Sequence, residues 1–229
     1  MKKTTRPAAL FFDVNETLLN LAGIKQSVAA ALGNNPSLAT LWFHSLLHHS
    51  LVTTSADRFR TFGEIGVATL IMTAESNGID LSETRAKDAM QPLLSAPPHP
   101  DVIPALTRLK QAHFRMGALT NSSRGAMEQQ LKTAGVDRFF NFMLSVEDKR
   151  IYKPHREVYQ WAAETQNLPL GNCMMIAAHG WDVGGAAWAG MRTAFVARPG
   201  QAVFPLAPLP ELTGKDMEAI AQQLIELPE

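Results

Sequence analysis

Polar side chains follow the apolar runs of this 229-residue sequence, and their types are those that carry out hydrolytic chemistry. They are Asp13 and Thr17, Thr120 and Asn121, Lys153, and His179 with Asp182. A carboxylate at the end of a strand can act as a nucleophile that forms and loses an ester. Asp13 could equally cap a turn or a helix, so its role depends on what the other residues bring to it.

Five short apolar runs predict the strands that carry these residues, at 8–12, 115–119, 142–145, 174–178 and 193–197. Helical periodicity marks four segments between and around the later runs, at 101–112, 124–134, 157–166 and 183–190. Strands that alternate with helices favour an α/β fold with a Rossmann-like, doubly wound parallel sheet. Ligands bind at the carboxyl ends of the strands in such sheets, where the polar residues stand.

The stretch 18–95 interrupts this alternation. It contains amphipathic segments at 37–51 and 62–77 and little that resembles a strand. The run 96–100 (APPHP) then predicts a stiff linker. We therefore expect an α/β core at 1–17 and 98–229, with a helical cap at 18–97 inserted after the first strand, where it would cover the strand ends as a lid.

Composition excludes several classes of protein. Lys and Arg together number 21, as do Asp and Glu, so the formal net charge is zero and nothing electrostatic favours nucleic acid or an anionic membrane as partner. The single cysteine, Cys173, rules out an intramolecular disulfide. The apolar run at 7–12 is too short for a signal peptide, and no apolar segment approaches the ~20 residues of a spanning helix. The expected location is cytoplasmic.

Four segments resemble, in order and spacing, the motifs of the haloacid dehalogenase superfamily. They are 12–19 (FDVNETLL), 119–122 (LTNS), 152–154 (YKP) and 181–182 (WD). The similarity is greatest to the branch of type II 2-haloacid dehalogenases, and it runs over essentially the whole chain, including the helical cap. It implies a Rossmann-like core with a cap, hydrolysis of a small-molecule substrate at a carbon–halogen bond, no cofactor and a homodimer.

This resemblance assigns catalytic roles within the crevice. Asp13 becomes the nucleophile, and Lys153 is the fixed cation that keeps it ionised. Thr17, which could otherwise cap the next helix, hydrogen-bonds the nucleophile region in the family. Asp182 would hold Lys153 or position water, and its alternative role is to cap a helix that begins at Val183.

Other residues match the family's substrate pocket. Thr120 and Asn121 would donate hydrogen bonds to the substrate or leaving group, or would only end a strand in an Asx turn. Tyr159 matches a pocket tyrosine, although a helical aromatic also serves in a core. His179 replaces an Asn; it could act as a general base near neutral pH, or substitute for the Asn in hydrogen bonding. Trp181, from the fourth motif, joins the expected substrate-binding set.

The same segments separate dehalogenases from the metal-dependent phosphatases of the superfamily. The phosphatases carry a second Asp two residues after the nucleophile, and further acids after the fourth strand to hold Mg²⁺. Asn15 takes the first of these positions, and Ala177 and Ala178 stand where another carboxylate is expected. The remaining carboxylates make a poor cage for a hard cation, and Asn15 cannot protonate a leaving alkoxide. We therefore expect no metal.

The chain also departs from the dehalogenase pattern. The dehalogenases carry an Arg after a Leu-Trp pair of the cap, where it helps to bind the substrate carboxylate or halide; Phe43 takes that position here. Loss of the Arg removes a charge-assisted contact with a carboxylate. Their Tyr and Gly after the nucleophile are Asn15 and Glu16 in this sequence. We expect Asn15 and Phe43 to contact the substrate.

Several basic residues of the cap require separate interpretation. His44, Arg58 or Arg60 could compensate for the missing Arg. His44, His48 and His49 also have the spacing of metal ligands, but no carboxylate or cysteine stands at a fitting offset. Polar cap surface or pocket lining is therefore the favoured interpretation of these histidines.

Together these features predict a metal-independent hydrolase that removes halide from a short 2-haloalkanoic acid through an aspartyl ester on Asp13. Halide is a good leaving group, so its displacement requires an ionised nucleophile, an apolar box and suitable donors, but neither metal nor acid. Two alternatives stay open. One is a phosphatase with a degraded Mg²⁺ site, and the other is a non-catalytic small-molecule binder that keeps the fold.

Overall fold

A computed structural model describes residues 5–229, so residues 1–4 of the predicted core lie outside the described part of the chain. Its sheet has six strands, all parallel, in the order β3-β2-β1-β4-β5-β6. They are β1 (Ala9–Phe12), β2 (Met116–Thr120), β3 (Phe142–Ser145), β4 (Cys173–Ala177), β5 (Arg192–Val196) and β6 (Leu212–Gly214). The predicted α/β class with a Rossmann-like parallel sheet is confirmed.

Helices account for most of the remaining chain. They are α1 (Ala22–Ala31), α2 (Pro36–Ser55), α3 (Phe62–Glu75), α4 (Glu83–Met90), α5 (Val102–Gln111), α6 (Arg124–Thr133), α7 (Arg156–Thr165), α8 (Gly180–Ala189) and α9 (Met217–Glu226). None of the helices within 5–229 combines the length and apolar character needed to cross a membrane.

The strand β1 lies at the centre of the sheet, between β2 and β4. All four of its residues are fully buried, which explains why its sequence is continuously apolar instead of alternating. The chain continues to β2 on one side, whereas β4 flanks the other side. This reversal of strand order is the topological switch point at which open α/β sheets bind ligands. Asp13 follows β1 directly and therefore lies at that point.

The five predicted strands are confirmed, with ends that differ by no more than one residue. The short edge strand β6 was not predicted, because three residues carry too little pattern. The structure also corrects the start of α8. This helix begins at Gly180 and not at Val183, so Asp182 lies inside its first turn and does not cap it.

Close packing brings α8 against the segment that follows Lys153. A Cβ atom added to Gly185 would lie 2.3 Å from Cβ of Pro154 and 3.1 Å from the hydroxyl of Tyr159. Only glycine fits at this approach, and the approach places the first turn of α8 next to Lys153. The position of Asp182 beside that lysine follows from this packing.

Helices α1 to α4 all lie between β1 and α5, and neighbouring members of the group pack on one another. The chain enters and leaves this group side by side, since Asn20 N donates to Pro97 O at 2.7 Å and His99 N donates to Leu18 O at 2.9 Å. Two adjacent connections of this kind are what an inserted cap requires. The division at 18–97 stays a prediction.

Candidate active site

The carboxylate of Asp13 has two differently bonded oxygens. Oδ1 accepts a hydrogen bond from Lys153 Nζ at 3.0 Å, whereas Oδ2 accepts from Thr17 Oγ1 at 2.7 Å and contacts His179 Nδ1 at 3.2 Å. The residue is only 4% exposed. Burial by itself raises the pKa of this carboxyl, but Lys153 and His179 outweigh burial and hold the pKa well below its usual value. Asp13 is therefore an ionised carboxylate shielded from bulk water.

Lys153 lies between two carboxylates. Its ammonium donates to Asp13 Oδ1, to Asp182 Oδ2 at 2.6 Å and to Leu119 O at 2.9 Å, which uses all three of its protons. Burial alone lowers the pKa of Lys153, yet the two carboxylates reverse that effect and raise it. The predicted pairing of Lys153 with both aspartates is present in the geometry.

Tyr159 lies behind Asp182 and has no exposed surface. Its hydroxyl donates to Asp182 Oδ1 at 2.6 Å, while burial and the adjacent carboxylate raise the pKa of Tyr159 well above its usual value. Burial also raises the pKa of Asp182, against the effect of Lys153. The hydroxyl of Tyr159 thus holds Asp182 in place. Its contact with substrate stays a prediction.

Thr17 connects the nucleophile to the neighbouring strand end. Its hydroxyl donates to Asp13 and accepts from Ala178 N at 2.9 Å, directly after β4. The next helix begins at Ala22 with Leu21 at its N-cap. The alternative that Thr17 caps this helix is therefore wrong, and its hydroxyl orients Asp13 instead.

Thr120 and Asn121 form the turn at the end of β2. Thr120 Oγ1 accepts from Ser122 N at 3.1 Å, and Asn121 Oδ1 accepts from Lys153 N at 3.1 Å. These are the side chain–backbone contacts expected of a strand-ending turn. Through Asn121, the turn also positions the backbone of Lys153. Donation by this pair to a substrate stays a prediction.

Asn15 is held by Ser122 of the second motif and by Gln130, which no motif contains. Its Oδ1 accepts from Gln130 Nε2 at 3.0 Å, and its Nδ2 donates to Ser122 Oγ at 3.1 Å. Gln130 is fully buried on α6 beside Leu131 and Met127. A buried polar side chain needs a hydrogen-bond partner, so a glutamine on the apolar face of α6 was the feature of the sequence that could have indicated this contact.

The oxygen atoms of this crevice do not suit Mg²⁺, the ion that the phosphatases of the superfamily would require here. Both oxygens of Asp13 and of Asp182, and the amide oxygen of Asn15, already accept hydrogen bonds from side chains of this chain. The cations Lys153 and His179 lie where an added divalent charge would be repelled. Nothing in the chemistry of this donor set fits a divalent cation.

His179 bridges two carboxylates. Nδ1 faces Asp13 Oδ2, and Nε2 lies 2.9 Å from Glu16 Oε2. Burial alone lowers the pKa of His179, but the two carboxylates raise it to about 9. At neutral pH the ring is therefore charged and donates from both nitrogens. Of the two predicted roles, a hydrogen-bonding substitute for the Asn fits this protonation, and a general base at neutral pH does not.

Glu16 is the main residue of the site that sequence reasoning left without a role. Its carboxylate contacts His179, forms an ion pair with Lys25 of α1 and accepts from Gln201 Nε2 at 3.4 Å. Burial opposes ionisation, but the contacts with His179 and Lys25 lower the pKa of Glu16 below its usual value. Its backbone has φ 62°, in the left-handed region that favours glycine. The replacement of the family's Gly by Glu16 was the feature of the sequence that could have indicated a role for this residue.

A cleft of about 260 Å³ opens beside His179. Trp181 stacks on the His179 ring with centroids 5.1 Å apart, and Phe43 approaches the same ring at 6.5 Å. Lys25 and His44 also line this cleft, and Lys25 Nζ lies 5.8 Å from the centre of the Phe43 ring. Phe43 and Trp181, two of the three aromatic residues of the predicted substrate-binding set, thus lie next to the crevice.

Of the residues considered as substitutes for the missing Arg, His44 alone lines this cleft. Arg60 lines a separate cleft with His49, and Arg58 is exposed and donates to Asp57 O. Lys25, which the motifs did not indicate, lines the same cleft as Phe43 and His44. Within the described residues, no group of three or more His, Cys, Asp or Glu is arranged as a metal site, which includes the histidines of α2.

Comparison with known proteins places this site in a family. The model of haloacid dehalogenase-like hydrolases matches residues 7–190. The chain belongs to that family of hydrolases, and the predicted membership is confirmed. The solved structure of the L-2-haloacid dehalogenase from Xanthobacter autotrophicus, with chloropropionic acid covalently bound, superimposes with a TM-score of 0.89 at 20% identity, over 96% of this chain and 99% of that one. This similarity shows the shared fold.

Curated relatives extend over nearly the whole chain. (S)-2-haloacid dehalogenase H-109 of Pseudomonas putida is 26% identical over 218 residues, which cover 95% of this chain and 97% of the relative. Haloacetate dehalogenase H-2 of Moraxella sp. (strain B) is 26% identical over 213 residues, which cover 93% of this chain and 95% of the relative. The chain is thus similar in length and sequence to enzymes named for acting on carbon–halogen bonds.

Proposed function

We propose that the chain is a metal-independent hydrolase that removes halide from a short 2-haloalkanoic acid through an ester on Asp13. The observation that carries the proposal is the state of Asp13, a buried and ionised carboxylate at the end of the central strand, with Lys153 as its cation. A nucleophile of this kind needs no acid to expel halide. The names of the curated relatives support the same substrate class.

In the first step, Oδ1 of Asp13 attacks carbon 2 of the substrate. The new carbon–oxygen bond forms as the carbon–halogen bond breaks, and the halide leaves with the bonding electrons. In the second step, water attacks Cγ of Asp13 and releases a 2-hydroxy acid. Lys153 holds the carboxylate in position and keeps it ionised before attack and after release.

The same proposal places the substrate between the crevice and the cleft beside His179. Phe43 and Trp181 supply apolar walls there, and Lys25 is the cation that replaces the family's Arg for the substrate carboxylate. The proposal includes a helical cap at 18–97, which the adjacent connections Leu18–His99 and Asn20–Pro97 support. A homodimer and a cytoplasmic location stay predictions.

Halide release from short 2-chloro- and 2-bromoalkanoic acids tests the proposal. We expect equal rates with Mg²⁺ and with EDTA, and a loss of more than about 1,000-fold in Asp13→Asn, because the amide is no nucleophile. Asp88→Asn, which changes an exposed aspartate of α4, is the matched control and should leave release unchanged.

Two results would replace the proposal. Hydrolysis of p-nitrophenyl phosphate that depends on Mg²⁺, without halide release from any haloacid, favours the phosphatase alternative. Absence of turnover with either class, together with haloacid binding that survives Asp13→Asn in calorimetry, favours the non-catalytic binder.

A further inference from the structure

We propose that Glu16 is a positioning residue, which holds His179 as a charged hydrogen-bond donor to the Asp13 oxygen that becomes negative during ester hydrolysis. This inference rests on the proposed function, because it concerns the second step of that reaction. It assigns a role to a carboxylate that the dehalogenase pattern does not contain.

Two departures from the dehalogenase pattern meet in space. The dehalogenases carry Gly and Asn at the positions of Glu16 and His179, and here the replacing side chains are in contact at 2.9 Å. Glu16 keeps a left-handed backbone, φ 62°, although a side chain is disfavoured there. Strain of this kind persists where the surroundings impose it, often at functional sites. The two replacements therefore form one unit.

The bonding of Asp13 shows where this unit acts. Oδ1 accepts from Lys153 alone, so it is the oxygen that is free to bond to the substrate carbon. Oδ2 then becomes the carbonyl oxygen of the ester. Thr17 and His179 are its two partners, at 2.7 Å and 3.2 Å. Donors at such distances stabilise an oxyanion when they are in place before the charge develops.

Hydrolysis of the ester requires water and the residues of the site, and no further reactant. The oxygen of water bonds to Cγ of Asp13, and the carbonyl electron pair moves onto Oδ2, where His179 and Thr17 donate. Collapse of this intermediate restores the carbonyl and breaks the bond between Cγ and Oδ1. The substrate leaves as an alkoxide that carries Oδ1, and the oxygen of water takes its place on Asp13. One proton of the water ends on the alkoxide, and the other is released when the carboxylic acid of Asp13 ionises.

The charges around His179 favour its protonated form. The titratable groups that face it directly or through a shared partner are Asp13 after β1, Glu16, Lys25 of α1, His44 of α2, Lys153, and Asp182 of α8. The cluster thus contains three carboxylates and two lysines, and a proton on the imidazole makes its net charge zero. Once the ester forms, Asp13 loses its charge, and Glu16 is the carboxylate that still contacts the ring.

The test uses Glu16→Gln in the full chain, with rapid-quench halide release and intact-mass spectrometry. We expect the first turnover of halide to be retained, while ester hydrolysis slows by about 10- to 100-fold, so that an adduct accumulates on the protein. In the wild type, ester hydrolysis should fall as the pH rises and His179 loses its proton, at a pH below the value of about 9 that holds while Asp13 is ionised. In Glu16→Gln the fall should move to lower pH, and Glu16→Asp should partly restore both properties.

Glu83→Gln, an exposed change on α4, is the matched control and should show neither effect. Glu16→Gly introduces the residue that the left-handed backbone favours, so this variant is used if Glu16→Gln does not fold. Glu16→Gly should accumulate the adduct as well. Ester hydrolysis at the wild-type rate and with the wild-type pH profile in either folded variant overturns the inference and leaves the proposed function standing. If the wild type itself releases no halide, the proposed function fails first.

Discussion

The two sides of the Asp13 carboxylate are built differently. On the Oδ1 side, a chain of contacts runs from Asp13 through Lys153 and Asp182 to Tyr159. The side chains of these last three residues are fully buried, and their types are those of the dehalogenase pattern. On the Oδ2 side, His179 and Glu16 replace the residues of that pattern. The buried side keeps the nucleophile ionised, which any reaction at Asp13 requires. On the other side, Glu16 and His179 depart from the dehalogenase pattern and contact each other.

Lys153 and Lys25, one on each side of the Asp13 carboxylate, differ in how far their side chains are buried. The Lys153 side chain is 0% exposed and that of Lys25 is 47% exposed, although both are paired with a carboxylate. Breaking a buried ion pair leaves a charge that water cannot reach, whereas breaking an exposed pair costs little. The same kind of contact therefore has different consequences on the two sides.

The largest effect is expected for Lys153→Met. It removes the buried cation that Asp13 and Asp182 share, and should lower the free energy of unfolding at pH 7 by about 3–5 kcal/mol and abolish halide release. Both carboxyl pKa values should rise, so the loss should shrink as the pH falls and the carboxylates become protonated. Urea denaturation at pH 5 and pH 8 measures this. An equal loss at both pH values would contradict it, and Lys87→Met on exposed α4 is the control.

The second effect concerns the pH dependence of stability. The pKa of His179 is about 9 in the fold, against an ordinary value of 6.5, so its contribution is fully present below pH 6.5 and is lost as the pH rises through 9. At about 1.4 kcal/mol per pKa unit, the difference between wild type and His179→Asn should fall by about 3 kcal/mol from pH 6 to pH 10. Urea titrations across this range test it. A difference that stays flat would show that His179 is not held charged.

A smaller effect is expected for Tyr159→Phe, which removes one donor from buried Asp182. We expect a loss of about 1–3 kcal/mol in the free energy of unfolding, because a charged acceptor stays unsatisfied, and a loss of about 10-fold in halide release. Tyr152→Phe is the matched control, since that hydroxyl donates to Arg60 O at 2.7 Å, outside the crevice. Tyr152→Phe should lower the free energy of unfolding without changing turnover. Equal turnover in both variants would show that the Tyr159 hydroxyl does not contribute to catalysis.

The smallest effect on stability is expected for Lys25→Met. Its half-exposed ion pair with Glu16 should contribute less than about 1 kcal/mol to the free energy of unfolding. Because the proposal places the substrate carboxylate near Lys25, KM for a 2-haloacid should rise by about 10-fold with a smaller change in kcat. Steady-state kinetics measure both constants. An unchanged KM would assign carboxylate binding to another group, such as His44.

Much of the fold could be predicted from local pattern. Buried parallel strands are continuous apolar runs, so β1 to β5 were visible in the sequence, whereas β6 has only three residues and lies at the sheet edge. The start of α8 was placed too late, because glycine is a weak helix former and Gly180 occupies the first position of the helix. Gly185 is required by the close approach of Pro154, which is a tertiary contact and leaves no local mark.

The sequence by itself determined the order of the polar strand ends, and its resemblance to the dehalogenase motifs predicted Asp13 and Lys153 as partners. Parallel strands bring their carboxyl ends to one edge, so residue order alone leads to proximity there. Only the tertiary structure decided what surrounds Oδ2 of Asp13. Glu16 and His179 are 163 positions apart, and a loop residue with a left-handed backbone aims its carboxylate at the ring. Side-chain contacts between loops depend on the whole packing and have no periodic signature in the sequence.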